Sequence, residues 1–301
     1  MDHKVLTALE HDRGDGPLKQ IAIVSGKGGT GKTSIIASLA ALWRGRAVIV
    51  DCDVDAPDLH LILKPEIRER REFYGIRKAV IDKSKCTSCG LCEEHCLFGA
   101  ISEQEIDPLL CEGCGVCSRV CPAGAITMTD RLSGYAFISD TRFGPMIHAE
   151  LFPGEEASGK LVTMVREMAR ELAESRKMEL VLIDGSPGIG CPVIASLTGS
   201  DLALVVTEPT ISGQHDLDRI LDVVEHFGIR PLVCINKFDL NPDAALRIEE
   251  RCSSRGVKVI GRIPFDPVVV EAMVEGKAVV EMKGQVADAI IELWGRLKSE
   301  I

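Results

Sequence analysis

SGKGGTGKTS, Ser25–Ser34, follows the apolar run IAIV (Ile21–Val24) and precedes an apolar stripe of Ile35, Ile36, Leu39, Ala40, Leu42 and Trp43. The order is strand, glycine-rich loop, helix. Within it, Gly26-Lys27-Gly28-Gly29-Thr30-Gly31-Lys32-Thr33 fits the pattern G-x-x-x-x-G-K-[ST]. Glycines at these places let the backbone wrap a phosphate chain with its N–H groups pointing inward. Lys32 would neutralise the β- and γ-phosphates, and Thr33 would ligate Mg²⁺. A glycine turn of a dinucleotide-binding protein is the rival reading, and Gly31-Lys32-Thr33 opening a helix argues against it.

Outward from the loop, further short apolar runs recur: AVIV at Ala47, LVLI at Leu180, LALVV at Leu202, LVCI at Leu232 and VKVI at Val257. None alternates cleanly, as expected of strands buried on both faces. Helical patterns separate most of them, over Ser158–Arg176, Gly213–Phe227, Asp243–Ser253 and Val286–Leu297. The expectation is an α/β fold, a doubly wound, mostly parallel sheet. The pattern breaks between about Lys64 and Gly144, where two copies of one unit stand 25 residues apart, CTSCGLCEEHCLFGAI and CEGCGVCSRVCPAGAI. We read a host domain over 1–65 and 140–301, interrupted over 66–139 by a small α+β domain of bacterial ferredoxin type inserted after the second strand.

Composition narrows the partners. With 35 basic against 45 acidic residues the net charge is −10, which argues against a general binder of nucleic acid. Aromatics at 4% leave few stacking platforms for single strands. The run Arg68, Arg70, Arg71 reads as a solvated helix face. No apolar run reaches the length of a membrane span, and the first twenty residues, with Asp2, Glu10, Asp12 and Asp15, lack the apolar core of a signal peptide. The expectation is a cytoplasmic protein without stable membrane insertion, whose clustered cysteines bind metal rather than form disulfides.

Lys27 adds a second lysine early in the phosphate loop, and with it the chain strongly resembles the MinD/ParA-type ATPases, a group that includes the nitrogenase iron protein and Mrp-type cluster carriers. The resemblance implies that Lys27 reaches a partner subunit's nucleotide, so that ATP stabilises a face-to-face homodimer. It assigns Asp53, in VIVDCDVDAPD, to orienting or deprotonating the attacking water, and Asp51 with Asp184, in LVLIDGSPGIG, to holding Mg²⁺ through water. Lys27, Lys32 and Asp53 are thus the catalytic candidates. Gly26, Gly28, Gly29, Thr30, Gly31, Thr33 and Ser34 complete the phosphate loop, and Asp55 and Asp58 stand nearby. Asn236-Lys237-Phe238-Asp239 reads like a guanine box of GTPases, whereas the resemblance implies adenine contact by Asn236 and packing of Pro264-Phe265-Asp266 on the base. The residues alone permit GTP; the resemblance favours ATP.

Cys86, Cys89, Cys92 and Cys96 have C-x₂-C-x₂-C-x₃-C spacing, and Cys111, Cys114, Cys117 and Cys121 repeat it before Pro122. Two such runs indicate two 4Fe–4S clusters, the fourth cysteine of each run ligating the other cluster. One cluster takes Cys86, Cys89, Cys92 and Cys121; the other takes Cys96, Cys111, Cys114 and Cys117. Zinc sites pair two C-x₂-C units per metal without this crossing. Leu97 replaces the proline expected after the first run, and His95 reads as a surface residue. Cys52, Cys234 and Cys252 read as buried apolar residues. Cys191 matches a cluster cysteine of the nitrogenase iron protein, but the second cysteine that such a shared cluster needs is missing from Glu155–Val162; a seam thiol and a buried cysteine both stay open.

Three readings follow. Nucleotide binding and hydrolysis gate electron delivery to a partner redox protein; the protein carries or assembles iron–sulfur clusters for an acceptor; or it is a positioning switch with a redox-sensing insert. The complete two-cluster pattern favours electron carriage. The stripe Val286, Ile290, Ile291, Leu293 reads as an ordinary core helix rather than a membrane tail.

Overall fold

The structure, a computed structural model, describes residues 17–54, 57–155 and 158–301. Asp55 and the N-terminal residues 1–16, on which the signal-peptide reading rests, lie outside that set.

The apolar runs form the centre of a large sheet. Its strands are β1 (Lys19–Ser25), β2 (Ala47–Asp51), β3 (Glu66–Tyr74), β8 (Leu132–Thr141), β9 (Gly144–Leu151), β10 (Leu180–Pro187), β11 (Leu202–Thr207), β12 (Arg230–Asn236) and β13 (Lys258–Ile263). The nine lie in the order β13-β12-β11-β1-β10-β2-β9-β8-β3. All neighbouring pairs from β13 to β9 are parallel; β8 is antiparallel to both β9 and β3, so β8 alone runs against the rest.

Successive residues of a strand serve opposite faces. Ile21 and Ile23 pack under α1 (Lys32–Leu42), α2 (Leu59–Leu63), α9 (Val268–Glu275) and α10 (Gln285–Lys298). Ala22 and Val24 pack under α5 (Ser158–Ser175), α6 (Cys191–Leu197), α7 (Ile211–His226) and α8 (Pro242–Ser254). Both faces are covered, which is why the central strands read as unbroken apolar runs. In α10, Val286, Ile290, Leu293 and Leu297 are spent in this core.

Charge hides β3. Its sequence EIRERREFY lies on the sheet edge, where charged side chains protect unpaired backbone groups. The basic run is therefore on a strand, not a helix, and its cations are engaged: Arg68 with Glu66 and Asp140, Arg71 with Glu69 and Glu171, Arg70 over the Tyr135 ring.

Between β3 and β8 the chain builds a small unit with its own apolar cluster of Ala79, Ala100, Cys111 and Ile126. Strand β4 (Lys78–Ile81) pairs with β7 (Ile126–Thr129), and β5 (Ile101–Ser102) with β6 (Glu105–Ile106). Each sequence repeat supplies one short helix, α3 (Leu91–Glu94) and α4 (Val116–Val120). The strands β3 and β8, which the sequence reading counts with this unit, pair with each other, and β8 joins the large sheet through β9. The last β3–β8 pair is Tyr74 with Leu132. That end of β3 is also the end at which the parallel strands finish, so the unit stands at the same end of the sheet as the phosphate loop. Lys160 Nζ donates to the Gly75 carbonyl at 3.3 Å, and Arg131 pairs with Glu155 at 3.1 Å, fixing both roots of the unit to the host.

Candidate functional site

The loop after β1 emerges between β10 and β11 and is braced from the side by β12. Gly31, at φ 88°, caps the start of α1, and a side chain there would run into the Asn236 amide. Glycine alone suits both demands. Asn236 Nδ2 donates to the Thr30 carbonyl at 2.7 Å, and Lys237 Nζ donates to the Gly29 carbonyl at 3.1 Å.

Lys32 is buried, its Nζ 3.2 Å from Asp184 Oδ1. The Thr33 side chain also hydrogen-bonds Asp184. Asp184 stands opposite Asp51 in the β10–β2 register, so two carboxylates lie side by side out of water. Burial pushes the Asp51 carboxyl well above its usual range, and the neighbouring Asp184 charge adds to the effect. Burial raises Asp184 too, against the pull of the Lys32 ammonium. For Lys32, burial works downward, but Asp184, Asp53 and Asp51 together raise it. Asp51 Oδ1 accepts from the Asp53 N–H at 3.0 Å, whereas buried Asp51 Oδ2 has no hydrogen-bond partner. The donors here are all oxygen: an orphaned carboxylate oxygen, Asp184 and the Thr33 hydroxyl. That set fits Mg²⁺. Ser34 is buried in the first turn of α1, and Asp58 caps α2 without a side-chain bond.

Lys27 is turned onto its own chain. Its Nζ lies 2.6 Å from Glu208 Oε1, 2.9 Å from Ser212 Oγ and 3.3 Å from Thr210 Oγ1. Lys237 Nζ approaches the other Glu208 oxygen at 3.1 Å. Burial would raise Glu208; the two ammonium groups hold it below the ordinary carboxylate range. The sequence reading passed over Glu208, although the segment Glu208-Pro209-Thr210 follows a strand next to β1, at the end where ligands bind.

At the base side, the Phe265 N–H donates to Asp239 Oδ1 at 2.7 Å, and Asp266 Oδ1 accepts from the Val268 N–H at 2.9 Å. Pro264 directly follows β13. The Asn236 segment and the Pro264–Asp266 loop are thus tied together. Both polar ends of Asn236 are used within the chain, its Oδ1 accepting from the Lys237 N–H at 3.0 Å.

The small unit contains two cavities, and the cysteines divide between them. Cys86, Cys89, Cys92 and Cys121 line one, with Ile81, Ala125 and Ile126. Cys96, Cys111, Cys114 and Cys117 line the other, with Ala79, Phe98 and Met128. Burial raises the Cys92 thiol, and the charges of Cys86 and Cys89 add to it; burial raises Cys117, and Cys111, Cys114 and Cys96 add to that. Among the described residues no three His, Cys, Asp or Glu side chains converge as ligands of one ion. A cubane makes no such demand, because four thiolates are shared among four irons. The Ala125 N–H donates to Cys121 Sγ at 3.3 Å. His95 is exposed, its Nδ1 on the Leu91 carbonyl. Cys52, Cys234 and Cys252 are buried, and burial pushes the Cys234 thiol up to about 12 and Cys252 to about 11. Cys191 is exposed at the start of α6, beside Gly159, which excludes the buried reading.

Comparison with known proteins bears on the whole chain. Residues 21–279 match the CobQ/CobB/MinD/ParA nucleotide binding domain. An uncharacterised protein of Methanocaldococcus jannaschii is 36% identical over 95% of this chain and 99% of its own. The septum site-determining protein MinD of Bacillus subtilis is 25% identical over 86% of this chain and 81% of its own. Among solved structures, MinD of Pyrococcus horikoshii complexed with Mg-ADP superposes with a TM-score of 0.59 at 22% identity, covering 94% of this chain and 97% of the other.

Proposed function

The chain belongs to the CobQ/CobB/MinD/ParA nucleotide-binding family, and from that premise we propose that it is a Mg²⁺-dependent ATPase whose nucleotide state governs electron transfer to a partner redox protein through two 4Fe–4S clusters. The observation that carries the second half is the sorting of the eight cysteines. Neighbours in sequence would give the sets 86/89/92/96 and 111/114/117/121. The cavities instead gather 86/89/92/121 and 96/111/114/117, exchanging the fourth member of each run as two-cluster ferredoxins do. Clusters bound there would supply one-electron chemistry.

The remaining roles fall to the host. Lys32 neutralises the β- and γ-phosphates, and the loop N–H groups hold the chain of phosphates. Thr33 would ligate Mg²⁺ and Asp51 and Asp184 would hold it through water, giving the orphaned Asp51 Oδ2 a partner. Asp53, beside Asp51, positions the attacking water. Adenine lies toward Asn236, Pro264 and Asp266. Lys27 leaves Glu208 to reach the nucleotide of a second copy, so that a homodimer forms with ATP. The unit between β3 and β8 follows α2 and the Asp51–Asp58 segment along the chain, a route by which γ-phosphate contacts reach it.

Likeness to MinD favours one second reading, a positioning switch whose insert senses redox state. The two are separated by EPR of the reduced protein with and without MgATP, while iron and sulfide content tests the clusters that both require. We expect about eight irons per chain and a spectrum that changes with MgATP. Trace iron, or zinc in its place, would overturn the proposal; full iron with a spectrum blind to nucleotide would favour the switch.

A further inference from the structure

The two quartets are not equivalent in position or surroundings. Along the β4–β7 ladder, Lys78 pairs with Thr129 at the root and Ile81 with Ile126 farther out. The 96/111/114/117 quartet belongs to the root: Lys78 Nζ donates to the Cys111 carbonyl at 2.5 Å, and Gly113 is pressed against the Arg77 carbonyl. The 86/89/92/121 quartet sits at the Ile81 end, and its mouth is polar, with Thr87, Ser88, Glu93, Glu103 and Gln104.

Around the root quartet the surface is apolar. Leu97, next to Cys96, is 95% exposed, and Leu110 is 50% exposed. Phe98 and Val116, 45% and 40% exposed, line the cavity itself. Large apolar groups gathered at one mouth lose free energy to water until something covers them. The same rim carries acid: Glu112 lines the cavity, and Glu94 is exposed two residues before Cys96. The cations of the unit are engaged elsewhere, Lys83 with Glu105, Lys85 with Asp82, Arg77 with Asp130 and Arg131 with Glu155. Among the described residues, Arg119 is the cation of the unit that has no hydrogen-bond or ion-pair partner. A second copy presenting the same rim would bring like charges together, in a chain already at −10.

We propose that the rim of the 96/111/114/117 quartet is the docking face for a redox protein that presents an apolar contact ringed by lysine and arginine. The inference rests on the iron–sulfur reading of that quartet. One electron, supplied beforehand by a low-potential donor, passes from this unit to the oxidised centre of the partner, and no proton or group moves with it. Leu109 lies against Gly154, so the segment leading into Cys111 touches the host.

The probe is ferric cytochrome c, a protein with a lysine-ringed haem edge. Its binding to the oxidised, iron-loaded chain is measured by calorimetry at low and high ionic strength. We expect binding that weakens with salt, a loss of about tenfold or more in the Glu94→Lys/Glu112→Lys variant, and a smaller loss in Leu97→Ser. Glu250→Lys, exposed on α8, is the matched control and should bind as the unmodified chain does. Salt-insensitive binding, an equal loss in the control, or a dimer in sedimentation that Leu97→Ser dissolves would each overturn the docking face. Iron and sulfide are assayed on the same samples. Loaded protein that ignores the charge reversal defeats the docking face alone; protein without iron defeats the functional reading beneath it.

Discussion

Lys32 is placed by three carboxylates, and its nearest contact, Asp184, is itself fixed by the sheet register. Lys32→Ala leaves the Asp51–Asp184 pair without its buried counter-charge and the phosphates without a cation. Hydrolysis should fall by about a hundredfold or more in a phosphate-release assay, while iron content stays unchanged. A second side chain sets an acid limit on stability. His148 stacks on Phe137 and bonds Ser139 at 2.9 Å, and burial, with a smaller push from His60, lowers its pKa to about 4. An unfolded histidine titrates near 6.5, so the unfolded chain binds the extra proton between these values. The stability that His148 contributes is complete above about pH 6.5 and is lost as pH falls toward about 4, a change of about 2–3 kcal/mol. Urea melts across that range should show the slope, and His148→Gln should flatten it. Motif spacing picked out Lys32 and Thr33, the family resemblance picked out Asp51 and Asp184, and the fold brings the four together. Glu208 was not legible, because its importance comes from two lysines distant in sequence that meet only once β1, β11 and β12 align.

Strands buried on both faces announce themselves as apolar runs, as β1, β2, β10, β11 and β12 do; the run VKVI also marked β13, which lies at an edge with Lys258 and Arg262 exposed. The β3 edge is different. β3 places only Phe73 in the core and answers the solvent with charge, so nothing in its composition marks a strand. The helix reading of Arg68–Arg71 failed for that reason. In the small unit the glycines are more informative than the strands. Gly113 has φ 64°, and a side chain there would strike the Arg77 carbonyl and Ile76. Gly113→Ala should therefore open the root quartet while sparing the outer one. Iron per chain should fall by about half, read by colorimetric assay, with nucleotide affinity unaltered.

The doubly wound architecture was legible because strand and helix patterns alternate outside the interrupted segment. The direction in which the small unit stands was not. It depends on β8 turning against the other strands, a property of pairing that no local pattern encodes. The separate apolar cluster of the unit predicts separate stability. Cys114→Ala should disturb cluster content and the fold around it, yet leave ATP binding, measured by calorimetry, within about twofold. A collapse of nucleotide binding would mean that host and unit share one cooperative core.

The pairing of Tyr74 with Leu132 has a consequence for how such a molecule can be rebuilt. Antiparallel neighbours need a connection of only about two residues. Everything between them is a cartridge that a short hairpin could replace, leaving the ATPase sealed behind it. The same seam would accept a different cartridge without redrawing the sheet behind it.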